Sequence, residues 1–191
     1  LHAAVTDLRV QGRPVFGLAP TAKAARVLET GTGMECDTVA KLLHEWSRPD
    51  RPAEPPWRLP AGTTLIVDEA GMLATADLHQ LTQLADAHRW RLALVGDPHQ
   101  LHSVARGGMF AELCATGRPI ELDTIHRFHN DWEAAASLQL RHGNPSGLDA
   151  YVDHDRILPA PFHEHLDNIA TAATLAHHRG EYIAITTTTN D

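Results

Sequence analysis

The order of apolar and polar positions divides the chain into short apolar runs and longer amphipathic segments. Apolar runs bounded by turn residues predict buried strands, and apolar residues repeated every three or four positions predict helices. On this basis we predict strands at residues 15–19, 64–67, 92–95, 120–122 and 182–186. We predict helices at residues 1–10, 21–28, 38–46, 75–88, 131–141 and 163–179. Strands that alternate with helices in this way indicate an α/β fold with a parallel sheet.

One of these predicted strands ends in two acidic residues. Asp68 and Glu69 directly follow the apolar run at residues 64–67, and small residues come next. The carboxyl ends of parallel strands are where open α/β sheets bind ligands. One interpretation is a nucleotide-hydrolysis site, in which Asp68 holds Mg²⁺ through water and Glu69 polarises the attacking water. The other interpretation is that the acidic pair caps the next helix.

A second predicted strand favours the nucleotide interpretation. Residues 92–95 are followed by the sequence Gly96-Asp97-Pro98-His99-Gln100, where Gly96 permits a sharp turn. We expect Gln100 to project beside the acidic pair, where its amide can sense a terminal phosphate. With both motifs in place, the chain resembles the superfamily-one helicases. Residues 68–72 resemble the Walker B motif of that family, and residues 96–107 resemble its third motif.

The resemblance is strongest to the RecD-like branch, which includes the helicase part of conjugative relaxases of the TraI and TraA kind. It implies a RecA-like P-loop NTPase domain that is truncated at both ends. Residues 1–158 correspond to the first RecA-like domain, and residues 159–191 to the beginning of a second. No G-x-x-x-x-G-K-[ST] phosphate loop occurs in the 191 residues. We therefore expect this chain by itself not to hydrolyse ATP.

The resemblance also implies roles for individual residues. The implied catalytic residues are Glu69, Gln100 and Arg127, and the implied ATP and Mg²⁺ contacts are Asp68, Gly96 and Asp97, with Asp68 serving the metal. The implied contacts to single-stranded DNA are Pro20, Thr21, Lys23, Thr38, Ser103 and Arg106.

Alternatives stay open at several positions. Arg127 is either an arginine that reaches the terminal phosphate or a partner of Asp123. In the segment 36–46, core packing explains every residue except Thr38 at least as well as a DNA contact does. Trp57 either stacks on a base or packs on the nearest surface.

Composition adds few constraints. The net charge of −8 gives no overall electrostatic footprint for nucleic acid, although a helicase contacts its DNA strand along one groove. We assign the 14 histidines to the surface, since none has the spacing of a zinc peptidase, and we predict no metal except Mg²⁺. Two distant cysteines and the lack of a signal or spanning segment lead us to expect a cytoplasmic protein.

The predicted function is therefore part of an ATP-dependent DNA helicase. Its partners would be single-stranded DNA and the rest of a helicase or relaxase polypeptide. Two other classes stay open. One is an NTPase outside DNA metabolism, and the other is a non-catalytic module that binds DNA or a partner helicase.

Overall fold

The computed structural model describes residues 1–48, 53–100, 107–122 and 128–186. The described residues form a four-stranded sheet in which all neighbouring strands are parallel. The strands are β1 (Val15–Ala19), β2 (Cys36–Thr38), β3 (Thr64–Val67) and β4 (Arg91–Leu94), and their order in the sheet is β2-β1-β3-β4. The predicted α/β fold with a parallel sheet is confirmed.

Among the described residues, five α-helices accompany these strands in the first part of the chain. They are α1 (His2–Val10), α2 (Ala22–Thr32), α3 (Val39–Trp46), α4 (Thr75–His88) and α5 (Met109–Thr116). The predicted helix positions are confirmed for α1 to α4, with α2 extending four residues beyond the predicted end at residue 28. Within α2 the buried side is formed by Ala25, Leu28 and Thr32, whereas Val27 is 65% exposed.

Alternate side chains of the sheet belong to two hydrophobic clusters, as the period of two along a strand requires. Leu65 and Val67 belong to a cluster that also contains buried residues of α3, α4 and α5. Ile66, between them in β3, belongs to a second cluster with Val5 of α1 and Leu28 of α2. Helices therefore cover both faces of the sheet, which fixes the strands and leaves their ends to carry chemistry.

One strand was missed, and two predicted strands are wrong. Residues 36–38 form β2, which pairs with β1, where the sequence pattern had indicated only the start of a helix. Residues 120–122 and 182–186 are not strands in the part of the chain that the structure describes. Ile120 and Leu122 are 93% and 89% exposed. A short apolar run forms a strand only when a neighbouring strand accepts its backbone hydrogen bonds, and no described strand pairs with either run.

Contacts divide the chain into two units, residues 1–121 and residues 122–191. The described helices of the second unit are α6 (Asp131–Arg141), α7 (Gly147–Asp153) and α8 (Phe162–Arg179). Helices α6 and α7 pack closely, because a Cβ atom at Gly147 would lie 2.7 Å from the carbonyl oxygen of Ala136. The boundary that the resemblance implies, near residue 158, stays a prediction.

Across the described residues, no helix combines the length and the apolar composition that crossing a bilayer requires.

Candidate functional site at the carboxyl edge of the sheet

The acidic pair lies at the carboxyl end of β3, in the middle of the sheet. The backbone N–H of Asp68 donates to the carbonyl of Leu18 in β1 over 2.8 Å. On the other side, the N–H of Val95 donates to the carbonyl of Val67 over 2.8 Å. The hydrogen-bond ladder thus continues one residue past the strands on both sides of β3. This holds the backbone of Asp68 rigidly at the edge where three strands end.

Glu69 has an unusual backbone conformation. Its φ of 52° and ψ of 38° lie in the left-handed region, which costs a non-glycine residue about 1 kcal/mol or more. The Asp68 carboxylate accepts a 3.0 Å hydrogen bond from the N–H of Glu69, and a 3-10 turn at Ala70–Met72 follows at once. Glu69 therefore joins the end of β3 to the 3-10 turn, and both acidic residues are half-buried at the edge.

The alternative that the acidic pair caps a helix is wrong for the described structure. Glu69 is the residue before the 3-10 turn, but its side chain makes no capping hydrogen bond there. The next helix, α4, has Ala74 at its N-cap position. The acids at residues 68 and 69 are therefore not explained by a role in helix capping.

The loop after β4 packs directly against the acidic loop. The N–H of Ala70 donates to the carbonyl of Val95 over 2.9 Å. A Cβ atom at Gly96 would lie 3.1 Å from the Ala70 nitrogen and 3.3 Å from the ring of Phe110. A Cβ atom at Gly71 would lie 3.2 Å from the Asp97 carbonyl. Two glycines and one buried aromatic ring thus bring the two loops into backbone contact.

Asp97 shapes the second loop. One carboxylate oxygen of Asp97 accepts a 3.0 Å hydrogen bond from the N–H of His99, and the other lies 3.4 Å from the side-chain amide nitrogen of Gln100. The backbone N–H of Gln100 donates to the Asp97 carbonyl over 3.3 Å. Gln100 itself is exposed. The structure therefore places Gln100 on the loop that contacts the acidic loop, with Asp97 as the residue that orders this loop.

We expect Gly96→Ala to loosen the two loops without unfolding the chain. The added methyl group would crowd two backbone nitrogens and the Phe110 ring, so the acidic loop must move by a few tenths of an ångström. The Ala70–Val95 hydrogen bond should weaken, and the Ala70 amide should exchange with solvent faster than in the wild type. Amide exchange measured by NMR checks this, with Gly31→Ala as the control because nothing lies within 4 Å of its Cβ position. Unchanged exchange at Ala70 in Gly96→Ala would contradict the packing described above.

Four of the predicted DNA contacts lie at the same edge of the sheet. Thr21 caps α2 by accepting a hydrogen bond from the N–H of Ala24 (3.1 Å), and Thr38 caps α3 by accepting one from the N–H of Lys41 (3.1 Å). Thr38 is aligned with Ala19, the last residue of β1, so the amino ends of α2 and α3 are neighbours. Pro20 is half-buried between β1 and the cap, and Lys23 is exposed on the first turn of α2. The free N–H groups in the first turns of α2 and α3 are suited to binding phosphate groups.

Three predicted site residues lie outside the described residues. These are Ser103, Arg106 and Arg127. Their predicted roles stay predictions, as do the roles of the residues that the structure does describe.

Trp57 packs against α3. Its indole N–H donates to a carboxylate oxygen of Asp37 over 2.9 Å, and its carbonyl accepts a 2.9 Å hydrogen bond from the indole of Trp46. The ammonium of Lys41 lies 4.7 Å from the Trp57 ring centre. These contacts favour the second interpretation of Trp57, in which the ring packs on a neighbouring surface.

Sequence reasoning missed two residues that shape the site, Gly71 and Phe110. Phe110 is 8% exposed and lies in the first turn of α5, where its ring contacts the positions of both loop glycines. The sequence did contain a signal for Gly71, because both Gly71 and Gly96 lie a few residues after the end of a predicted strand. Their close approach, however, depends on the order of strands in the sheet, which the sequence does not state.

The parallel sheet, the acidic strand end and the adjoining Gly-Asp loop define a helicase-like AAA domain. The family model described as AAA domain (AAA_30) matches residues 1–160, so the chain belongs to this family. Among curated proteins, the conjugal transfer protein TraA of Rhizobium radiobacter is 31% identical over 192 residues, which is 94% of this chain and 17% of TraA. TraA of Agrobacterium fabrum is 30% identical, with the same coverage of both chains.

Two further proteins are similar to the chain. The RecBCD enzyme subunit RecD of Mycolicibacterium smegmatis is 34% identical over 142 residues, covering 62% of this chain and 25% of RecD. A solved structure of Pif1 helicases, described as the structural basis for DNA unwinding at forked dsDNA, aligns with a TM-score of 0.47 and 18% identity over 78% of this chain and 43% of that chain. The chain thus spans a quarter or less of its curated relatives. The predicted resemblance to a RecD-like, superfamily-one helicase domain is confirmed.

Proposed function

We propose that this chain is part of an ATP-dependent DNA helicase or translocase, in which ATP hydrolysis drives movement along single-stranded DNA. The observation that supports the proposal is the backbone contact between the two loops at the carboxyl edge of the sheet. This contact places the loop that carries the acidic pair next to the loop that carries Gln100. Phosphoryl transfer depends mainly on positioning and on charge neutralisation.

The acidic pair fits a bound magnesium nucleotide. One oxygen of Asp68 is engaged by the N–H of Glu69, and the structure describes no other hydrogen bond to this carboxylate. Carboxylate oxygens that keep free lone pairs beside a fixed backbone are the donors that Mg²⁺ prefers. Bound Mg²⁺ would neutralise charge on the phosphates. Asp68 would hold the ion through water, with Gly96 and Asp97 forming the adjacent wall of the nucleotide site.

The remaining catalytic roles fall to groups that can move or orient a proton. Glu69, turned by its left-handed backbone, would accept the proton of the attacking water. Gln100 would orient that water or sense the terminal phosphate from the neighbouring loop. Arg127 would stabilise the charge that develops on the transferred phosphoryl group, because guanidinium is planar and always protonated.

The DNA would follow the same edge of the sheet. Pro20, Thr21, Lys23 and Thr38 would contact its phosphates at the amino ends of α2 and α3, and Ser103 and Arg106 would link the DNA to the Gln100 loop. In this proposal residues 1–158 act as the first RecA-like domain, and residues 159–191 begin the second. The rest of the helicase or relaxase polypeptide completes the enzyme in the cytoplasm.

The test is ATP hydrolysis by a protein that joins this chain to the phosphate-loop segment of a TraA relative. We expect single-stranded DNA to stimulate hydrolysis, and Lys23→Gln to reduce this stimulation while the basal rate is kept. Arg26→Gln, which removes an exposed charge from the same helix, serves as the control. Hydrolysis that DNA leaves unchanged would indicate an NTPase outside DNA metabolism. DNA binding without hydrolysis would indicate a non-catalytic module.

A further inference from the structure

The opposite edge of the sheet, where the strands begin, is also built from three adjacent segments. The N–H of Thr64 donates to the carbonyl of Pro14, and the N–H of Arg91 donates to the carbonyl of Thr63, each over 2.8 Å. The N–H of Gly62 donates to the carbonyl of Arg89 over 2.9 Å. The residues that lead into β1, β3 and β4 therefore lie side by side, and we call this the amino edge.

Arginines are concentrated at the amino edge. Arg13 precedes β1, Arg58 precedes β3, and Arg89 and Arg91 flank the start of β4. All four are exposed, and none forms an ion pair with another residue in the part of the chain that the structure describes. Unpaired arginines are unexpected in a chain whose net charge is −8. Glu35, Glu54 and Asp86 lie next to these arginines, so their negative charge offsets part of the positive charge.

Charge therefore differs between the two ends of the strands. Asp68, Glu69 and Asp97 follow the carboxyl ends, whereas arginines precede the amino ends of the same strands. A strand rises about 3.3 Å per residue, so strands of four or five residues separate the two edges by about 15 Å. A polyanion drawn to the arginines would thus contact a surface distinct from the candidate nucleotide site.

Arg89 occupies a position that usually favours glycine. It is the C-cap residue of α4, with φ 58° and ψ 38° in the left-handed region. Glycine is common at such positions because a side chain is strained there. A positively charged guanidinium is stabilised by the negative end of the helix dipole at the carboxyl end of α4. A lysine or histidine within the last turn of the helix would gain the same stabilisation without backbone strain. The backbone carbonyl of Arg89 accepts the hydrogen bond from Gly62, so this C-cap residue belongs to the amino edge.

The proline-rich segment before β3 leaves the amino edge open. A cavity of about 530 Å³ remains between this segment and the sheet, lined by residues that include Pro14, Glu35, Pro56, Arg58 and Thr63. Arg58 and Pro14, which directly follows Arg13, thus line the same accessible cavity.

We propose that Arg13, Arg58, Arg89 and Arg91 bind the phosphates of a second DNA segment, namely the strand or duplex arm that the carboxyl edge does not hold. The inference rests on the proposed function, since a domain that moves along one strand of a fork has the other arm within reach. Arginine suits this task because its fork of donors matches phosphate oxygens. The contact would be independent of base sequence and sensitive to salt.

The experiment compares the affinity of the 191-residue chain for a forked DNA and for a single strand of equal length, by fluorescence anisotropy at several salt concentrations. We expect the wild type to bind the fork more tightly. Arg13→Gln, Arg89→Gln and Arg91→Gln combined should abolish this preference and leave the affinity for the single strand unchanged. The slope of log affinity against log salt for the fork should fall in magnitude by about 1 per arginine removed.

Controls separate the possible outcomes. The combined variant Arg26→Gln, Arg118→Gln and Arg156→Gln removes the same charge from exposed positions elsewhere and should keep the fork preference. Lys23→Gln should weaken binding of the single strand. If it does not, the DNA contact proposed at α2 is wrong, whereas the arginine variants still decide whether the amino edge binds the fork. Arg58→Gln, in the loop before β3, tests the same edge if the combined variant fails to fold. The inference would be overturned by a wild type that shows no fork preference, or by a fork preference that survives the arginine substitutions. It would also be overturned if those substitutions weakened binding to anionic lipid vesicles alone and left binding to the fork unchanged.

Discussion

Glu69→Gln is expected to lower the rate of ATP hydrolysis by about 10²- to 10⁴-fold in a protein that joins this chain to a phosphate loop, since a positioned general base contributes about that factor. The amide of glutamine keeps the shape of the side chain but cannot accept the proton of the attacking water. The affinity for ATP should change little, because Asp68, rather than Glu69, is proposed to hold the metal. Steady-state kinetics that separate kcat from KM measure both quantities.

The matched control for this variant is Glu29→Gln. Glu29 is an exposed acid on α2, so its substitution removes the same charge away from the acidic loop. Both kcat and KM should stay at the wild-type values. If Glu69→Gln retained a wild-type kcat, Glu69 would not act on the attacking water, and the role assigned to the acidic pair would be wrong.

Gly17→Ala is expected to destabilise the fold by about 3 kcal/mol, at the upper end of the usual cost of overpacking a core. Gly17 lies in the middle of β1, aligned with Cys36 of β2 on one side and with Ile66 of β3 on the other. A Cβ atom there would overlap the Cys36 sulfur and lie 2.8 Å from the terminal methyl group of Met34. Equilibrium unfolding in urea measures the loss of stability.

The Cys36 thiol cannot easily move away from an added methyl group. Its Sγ atom lies 3.4 Å from the Met34 carbonyl, to which the thiol donates. Burial, followed by the negative charge of Glu29, raises the pKa of Cys36 to about 12, so the thiol stays protonated and keeps this hydrogen bond at neutral pH. The overlap at Gly17 must therefore be relieved by rotation of the thiol, which breaks this hydrogen bond, or by movement of β2.

Two further variants make the Gly17 prediction specific. Gly31→Ala should not destabilise the chain and should stabilise it by up to about 1 kcal/mol, because alanine favours the helix and the added methyl group meets no neighbour. Adding Cys36→Ala to Gly17→Ala should recover part of the lost stability, because it removes the atom that is overlapped. Equal unfolding free energies for Gly17→Ala and Gly31→Ala would show that the strand positions are wrong.

The sequence was sufficient to predict the strands that carry the site. β1, β3 and β4 are runs of apolar residues between turn residues, and such runs identify buried parallel strands because both faces of the sheet are covered. The Thr21 and Thr38 caps were likewise visible as polar residues before amphipathic segments. These features depend on local chemistry, which a linear pattern records.

Features that depend on strand order could not be predicted. β2 is three residues long and contains Asp37, so its strand conformation follows from pairing with β1 rather than from its own residues. The contact of Gly71 and Gly96 with Phe110 likewise requires β3 and β4 to be neighbours. The apolar run at residues 120–122 shows the converse, since its composition suits a strand but none of the described strands pairs with it. Pairing across the sheet, and not propensity, decided all three cases.

The central claim is that a magnesium nucleotide binds at the carboxyl edge of β1, β3 and β4. Its most direct test is NMR of the protein joined to a phosphate loop, in the presence of ATP and Mn²⁺, whose unpaired electrons broaden the signals of nearby amides. The account predicts selective broadening at Asp68, Glu69, Ala70 and the Gly96–Gln100 loop. Broadening centred on the amino edge, around Arg13 and Arg58, or spread evenly over the chain would contradict it.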